Sequence, residues 1–133
     1  MKILFICKHN RFRSKVAEAL FRKYNKKRKA EVKSAGIRLD FTRPYIAENV
    51  KKILSEYGVN VIDEKSRKIN EFDLRWADSI IIVADNVNSK IFPGDKVIVW
   101  KIKDADENDL GSIKKIVKDI ESRVKDLINT LDK

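Results

Sequence analysis

Residues 2–14 read KILFICKHNRFRS, and the order of those letters decides the fold. Lys2 to Ile6 is a short apolar run of strand formers and predicts a buried strand. Residues 7–13, CKHNRFR, break that pattern. Ser14 then opens a helical stretch to about Asn25, with Val16, Ala17, Leu20, Phe21 and Tyr24 on one face. Ser14 suits either an N-cap or a first-turn position. A strand that runs through a short loop into a helix is the first half of a parallel α/β unit.

The alternation continues downstream. After the exposed basic run Lys26 to Lys29, Glu31 to Ser34 predicts a second strand, ended by Ala35 and Gly36. A polar loop over 37–43 leads to Pro44, a residue favoured where helices start. Ile46, Val50, Ile53, Leu54 and Tyr57 mark a second helix, stopped by Gly58. Segment 59–70 is mixed and polar, and Phe72, Leu74, Trp76 and Ala77 predict a short helical piece. Ser79 to Ala84 and Lys96 to Trp100 predict two more buried strands, and Leu110 to Leu131 keeps helical spacing throughout. The expected architecture is a three-layer α/β sandwich: a four-stranded parallel sheet with helices on both faces, forming one domain over 1–133. Ligands of such sheets bind outside the carboxyl ends of the strands, where Cys7 stands.

Composition narrows the functions. The chain has 133 residues, 43% hydrophobic, with 4 Gly and 2 Pro, a globular rather than a disordered balance. There is no long apolar run to span a membrane, and the N-terminal one is too short for a signal peptide, so a cytoplasmic protein is expected. One cysteine excludes an internal disulfide and a cysteine-rich zinc site within the chain. The net charge of +10 suits an anionic ligand. It also suits an ion-paired surface, given that 38% of residues are charged.

The loop itself points to a chemistry. The first N–H groups of a helix lack internal partners, and the helix dipole adds positive charge beside them. An anion placed there is held by backbone donors, with Lys8, His9, Asn10, Arg11, Phe12 and Ser14 as the loop residues around it. Arg13 offers a planar fork for two oxygens of that anion. The same field favours the thiolate of Cys7, and Ser14 is placed to donate a hydrogen bond to the sulfur. A nucleophile and an anion cradle within one short segment suit in-line attack on phosphorus or arsenic through a covalent thiol intermediate.

Cys7-Lys-His-Asn-Arg-Phe-Arg13-Ser14 resembles the N-terminal C-x5-R-S loop of the low-molecular-weight protein tyrosine phosphatases and the related thioredoxin-coupled arsenate reductases. Asn10 matches their loop asparagine, Ser34-Ala35-Gly36 a serine segment that supports the loop, and Ile80 to Asp85 their third strand with its acidic end. The resemblance implies phosphate-ester hydrolysis with Cys7, Arg13 and a late aspartate as catalytic residues, and no metal or cofactor. It places the general acid at Asp104, with Asp106 as competitor and Asp109 as the better cap for the last helix. The proline that usually follows the acid is Ala105 here, the loop's second cysteine is Phe12, and the aromatic wall two residues beyond the acid is Asp106. Phe41 is a candidate replacement wall, and Glu64 stands where some members have a structural histidine. His9 is read as stabilising the loop rather than as a base.

The resulting expectation is a monomeric phosphomonoesterase acting on a phosphoprotein, foremost phosphotyrosine, or on a small aryl phosphate. Arsenate reduction is an alternative, and with a single cysteine in the chain it requires an external thiol. A basic nucleic-acid-binding module is the third reading. No helix-turn-helix, zinc or RNA-binding signature supports it.

Overall fold

The computed structural model describes residues 1–131; Asp132 and Lys133, which end the expected 1–133 span, lie outside the described residues. Strand β1 runs Lys2–Cys7, helix α1 Arg13–Tyr24 and strand β2 Glu31–Gly36. Helices α2, Glu48–Glu56, and α3, Glu71–Trp76, follow, then strands β3, Ser79–Val83, and β4, Val97–Trp100. Helix α4, Leu110–Leu131, comes last. All four strands are parallel, in the order β2-β1-β3-β4. The chain leaves β1 toward one neighbour and returns on its other side, so the strand order reverses at β1. The crevice opened by that reversal lies at the carboxyl end of β1, beside Cys7.

The pleat sends alternate β1 side chains to opposite layers. Ile3 and Phe5 pack with Ile81, Val83 and Trp100 under α1, α2 and α4. Leu4 and Ile6 pack with Ile80, Ile82, Ala77 and Phe92 on the other face, which Leu74 and Trp76 of α3 help to cover. Phe5 is fully buried between the rings of Phe21 and Trp100, at centroid distances of 6.0 and 5.7 Å. Burial of one such side chain contributes roughly 1.5–3 kcal/mol. The expected three-layer sandwich is therefore the fold.

Three local expectations change. Helix α2 starts at Glu48, not at Pro44. The backbone before it is committed elsewhere: Ile46 N donates to Glu64 O, Ser66 N to Pro44 O and Ala47 N to Arg11 O. Strand β2 extends past Ser34, because Ala35 and Gly36 pair with Ile6 and Cys7. Strand β4 is not buried throughout; it lies at the sheet edge, with Ile98 and Val99 exposed. Among the described residues, no helix is long and apolar enough to cross a membrane.

Candidate active site

Helix α1 begins at Arg13 with no side-chain cap, so Ser14 is the first-turn residue and not the N-cap. Among the described residues, none accepts a hydrogen bond from the backbone N–H of His9, Asn10, Arg11 or Phe12. A loop of free donors leading into an uncapped helix is an anion cradle. Asn10 bends the loop with a left-handed φ of 55°, a conformation asparagine tolerates.

Behind the loop, Asn10 is fully buried, and its side chain and carbonyl are hydrogen-bonded. Its Nδ2 donates to Ser14 Oγ at 2.7 Å and to Ser34 Oγ at 3.1 Å, and its Oδ1 accepts from Arg67 N at 2.9 Å. Its carbonyl accepts from Ser66 Oγ at 3.0 Å. Gly36 passes so close that an added Cβ would sit 2.9 Å from Asn10 N, His9 C and Lys8 O. Lys15, buried in the first turn, donates Nζ to Asp63 O and Lys65 O at 2.7 and 2.8 Å, and burial pushes its pKa down. These ties explain why so polar a loop keeps one shape.

Cys7 Sγ lies 2.9 Å from Ser14 Oγ and is nearly buried. The Arg13 side chain is only 2% exposed and donates Nη1 to Ile102 O at 2.8 Å and Nη2 to Asn86 Oδ1 at 3.0 Å. Asp85 stands 3.5 Å from Nη1 and Asp104 stands 3.7 Å from Nη2. A cavity of about 210 Å³ joins Cys7, His9, Arg11, Phe12 and Arg13 to Asp104, Ala105, Asp106 and Glu107, with Arg43 at its rim.

The structure thus brings most of the expected residues to one cavity and sets the others behind it. Lys8 does not line the cavity; its carbonyl accepts from Arg38 N at 2.9 Å. His9 Nδ1 donates to Arg38 O at 2.6 Å, a loop-stabilising contact. Phe12 packs into the core while reaching the cavity. Asp106 also lines the cavity, but its Oδ1 accepts from Asn108 N at 2.8 Å and it makes no ion pair with Arg13. Asp109 accepts from Ser112 N and Oγ at the start of α4, the capping role expected of it. Phe41 is 87% exposed and does not line the cavity, so it builds no wall there. Glu64 pairs with Lys51 at 3.0 Å.

Several contributors were not anticipated from the sequence. Asn86 and Ile102 hold Arg13, while Ser66 and Arg67 hold Asn10. Glu107 pairs with Arg11 and, at 3.3 Å, with Arg43; the Arg11 hydrogen bond first of all keeps its carboxyl below the usual range. Only the basic character of the loop hinted that a carboxylate would meet it. Among the described residues, no cluster of three or more His, Cys, Asp or Glu is placed to hold a metal ion.

Solved structures share this fold. An arsenate reductase from Archaeoglobus fulgidus is 33% identical and superposes with a TM-score of 0.73, over 96% of this chain and 98% of that one. A low molecular weight protein tyrosine phosphatase from T. tengcongensis is 25% identical, with a TM-score of 0.84 over 98% and 99% of the two chains. The YwlE arginine phosphatase from Geobacillus stearothermophilus, 23% identical, shares the fold with a TM-score of 0.82 over 98% and 92%. No curated protein gives a significant match. The sequence profile described as "Low molecular weight phosphotyrosine protein phosphatase" matches residues 2–133. With a buried cysteine and a buried arginine closing one anion loop on that fold, the chain is an enzyme of the cysteine-phosphatase type and belongs to the low molecular weight phosphotyrosine protein phosphatase family.

Proposed function

We propose that this enzyme hydrolyses phosphomonoesters of phenols, phosphotyrosine in proteins foremost, through a phosphocysteine on Cys7. One observation carries the reading: Cys7 Sγ, Arg13 and Asp104 converge on a single cavity floored by unpaired N–H groups. In the first step a lone pair of Sγ forms the S–P bond as the P–O ester bond breaks. Asp104 gives its proton to the departing oxygen. Arg13 and the loop N–H groups hold the peripheral oxygens, whose charge they meet without reorganising. In the second step water attacks phosphorus, its proton passes to the Asp104 carboxylate, and the S–P bond returns its electrons to Sγ. Asp104 is preferred to Asp106 because it lies 3.7 Å from the Arg13 guanidinium, which would hold the phosphoryl group.

The test is phenyl phosphate hydrolysis in the presence of a chelator, with Cys7→Ser and Asp104→Asn alongside. Turnover should vanish in the first variant and fall roughly 10²–10⁴-fold in the second. Persistent activity in Cys7→Ser would sink the mechanism.

A second reading concerns phosphate carried on nitrogen. The cavity wall two residues past Asp104 is the carboxylate of Asp106, which suits a cationic guanidinium better than a phenyl ring. Phosphoarginine, the chemistry named for the Geobacillus protein, therefore belongs in the same substrate panel as phosphotyrosine peptides. Arsenate with glutathione or thioredoxin completes it, the external thiol being required by the single cysteine.

A further inference from the structure

Segment 101–109 carries Asp104 yet has no helix or strand, and no proline to restrain it. Its shape rests on the ties it makes to the rest of the molecule. At one end Ile102 O accepts from Arg13 Nη1. At the other, the Glu107 carboxylate spans two arginines, with Oε2 on Arg11 Nη1 and Oε1 on Arg43 Nη1, while the Glu107 carbonyl accepts from Asn49 Nδ2 at 2.7 Å. Neither arginine is loose. Arg11 Nε donates to Tyr45 O at 2.9 Å, and Arg43 Nε donates to Asp40 Oδ2 at 2.9 Å. Arg11 belongs to the anion loop, so Glu107 fastens the acid-bearing segment directly to the segment that follows Cys7. Asp106, between the two ties, bonds only within its own turn.

We infer that Glu107 is a positioning residue: its clamp on Arg11 and Arg43 sets the distance between Asp104 and the departing oxygen. The inference rests on Asp104 being the general acid. Partly exposed ion pairs contribute little to global stability, so the consequence of this one lies in where it holds the acid. A displacement of the order of 1 Å at a reacting group costs about 10²-fold in rate. That cost falls on esters whose leaving oxygen needs the proton. A 4-nitrophenolate leaves readily without it, and a phenolate does not.

The experiment compares kcat/KM for 4-nitrophenyl phosphate and phenyl phosphate, because kcat/KM reports the step in which the ester bond breaks. The ratio between the two esters should rise about tenfold or more in Asp104→Asn, and likewise in Glu107→Ala. The double variant should show no larger ratio than Asp104→Asn alone, since the clamp acts through the acid. Glu107→Gln, which keeps an acceptor oxygen, should give a smaller rise. Arg43→Met, outside the anion loop, should move the ratio in the same direction. Loss of folded protein lowers both esters together and leaves the ratio unchanged. A wild-type ratio in Glu107→Ala, with a raised one in Asp104→Asn, overturns the clamp and leaves the acid in place. An unchanged ratio in Asp104→Asn overturns the acid assignment, and the clamp falls with it.

Discussion

Ser14 Oγ lies 2.9 Å from Cys7 Sγ, and its hydrogen is directed at the sulfur. The direction follows from the neighbours. Arg67 N–H donates to Asn10 Oδ1, which fixes the amide so that Nδ2 faces Ser14 Oγ at 2.7 Å. An amide nitrogen only donates, so Ser14 Oγ accepts there and keeps its own hydrogen for Cys7. Ser34 repeats the arrangement, accepting from Asn10 Nδ2 and donating to Glu18 Oε1 at 2.7 Å. Glu18, Ser34, Asn10 and Ser14 form a line of hydrogen bonds around the nucleophile.

Ser14→Ala should therefore slow release of the thiolate from phosphocysteine more than it slows its formation. A hydrogen bond to a charged group contributes about 1.5–3 kcal/mol, roughly ten- to a hundredfold in that step. Rapid-quench kinetics should show a larger burst of phenol followed by slower turnover. Wild-type turnover in Ser14→Ala would contradict the assignment.

Gly36 sets how closely β2 approaches the anion loop. A Cβ there meets three backbone atoms at 2.9 Å, and backbone cannot rotate aside as a side chain can. Gly36→Ala should push the 8–10 segment outward, lower stability by about 1–3 kcal/mol, and weaken competitive inhibition by inorganic phosphate. The inhibition constant reports the loop, and urea unfolding reports the fold. A variant with both unchanged would show that the loop yields without cost.

What could be read from the chain depended on separation along it. Cys7, Asn10, Arg13 and Ser14 stand on one strand-loop-helix segment, so the period of the flanking residues was enough to bring them together. Asp104 was named through the family resemblance, by its place between β4 and α4, with Asp106 as competitor. Arg67 and Glu107 could not be read this way. Each is one charge among several in a polar stretch, and it meets Asn10 or Arg11 only after the sheet has assembled. Pro44 misled for a related reason: its local preference for starting a helix lost to the tertiary bond that its carbonyl accepts from Ser66 N. Ile98 and Val99 looked like core because an apolar run does not say whether a strand lies inside a sheet or at its edge.

Arg67 also supports the site through α3. Its Nη2 contacts both oxygens of Asp73, at 2.7 and 2.8 Å, and the Asp73 side chain is only 1% exposed. Removing one partner leaves a buried charge, which typically costs about 3–5 kcal/mol. Lys33, 3.9 Å from Asp73, remains and places Arg67→Met at the lower end. Urea unfolding should show that loss, and Arg67→Met/Asp73→Asn should recover part of it. A loss below about 1 kcal/mol in the single variant would mean that Lys33 compensates fully.

The contact between α1 and α4 has a pH signature of its own. Tyr24 near the end of α1 donates its phenol to Glu121 Oε2 at 2.6 Å, and this hydrogen bond is the main cause that raises its pKa from 10.0 to about 12. In the folded chain the phenol keeps its proton, and with it the bond, up to that value. In the unfolded chain it ionises near the ordinary value. The stabilisation is therefore complete below pH 10 and is lost as the pH climbs from 10 toward about 12. Lys23 and Lys125 sit 5.0 and 4.8 Å from the ring centroid, contacts that a phenylalanine ring would keep. Tyr24→Phe removes the bond and keeps the ring. The difference in melting temperature between wild type and Tyr24→Phe should hold constant through neutral pH and shrink across that alkaline window. A difference that stays constant to the end of the window would show that the Glu121 bond does not couple the two helices.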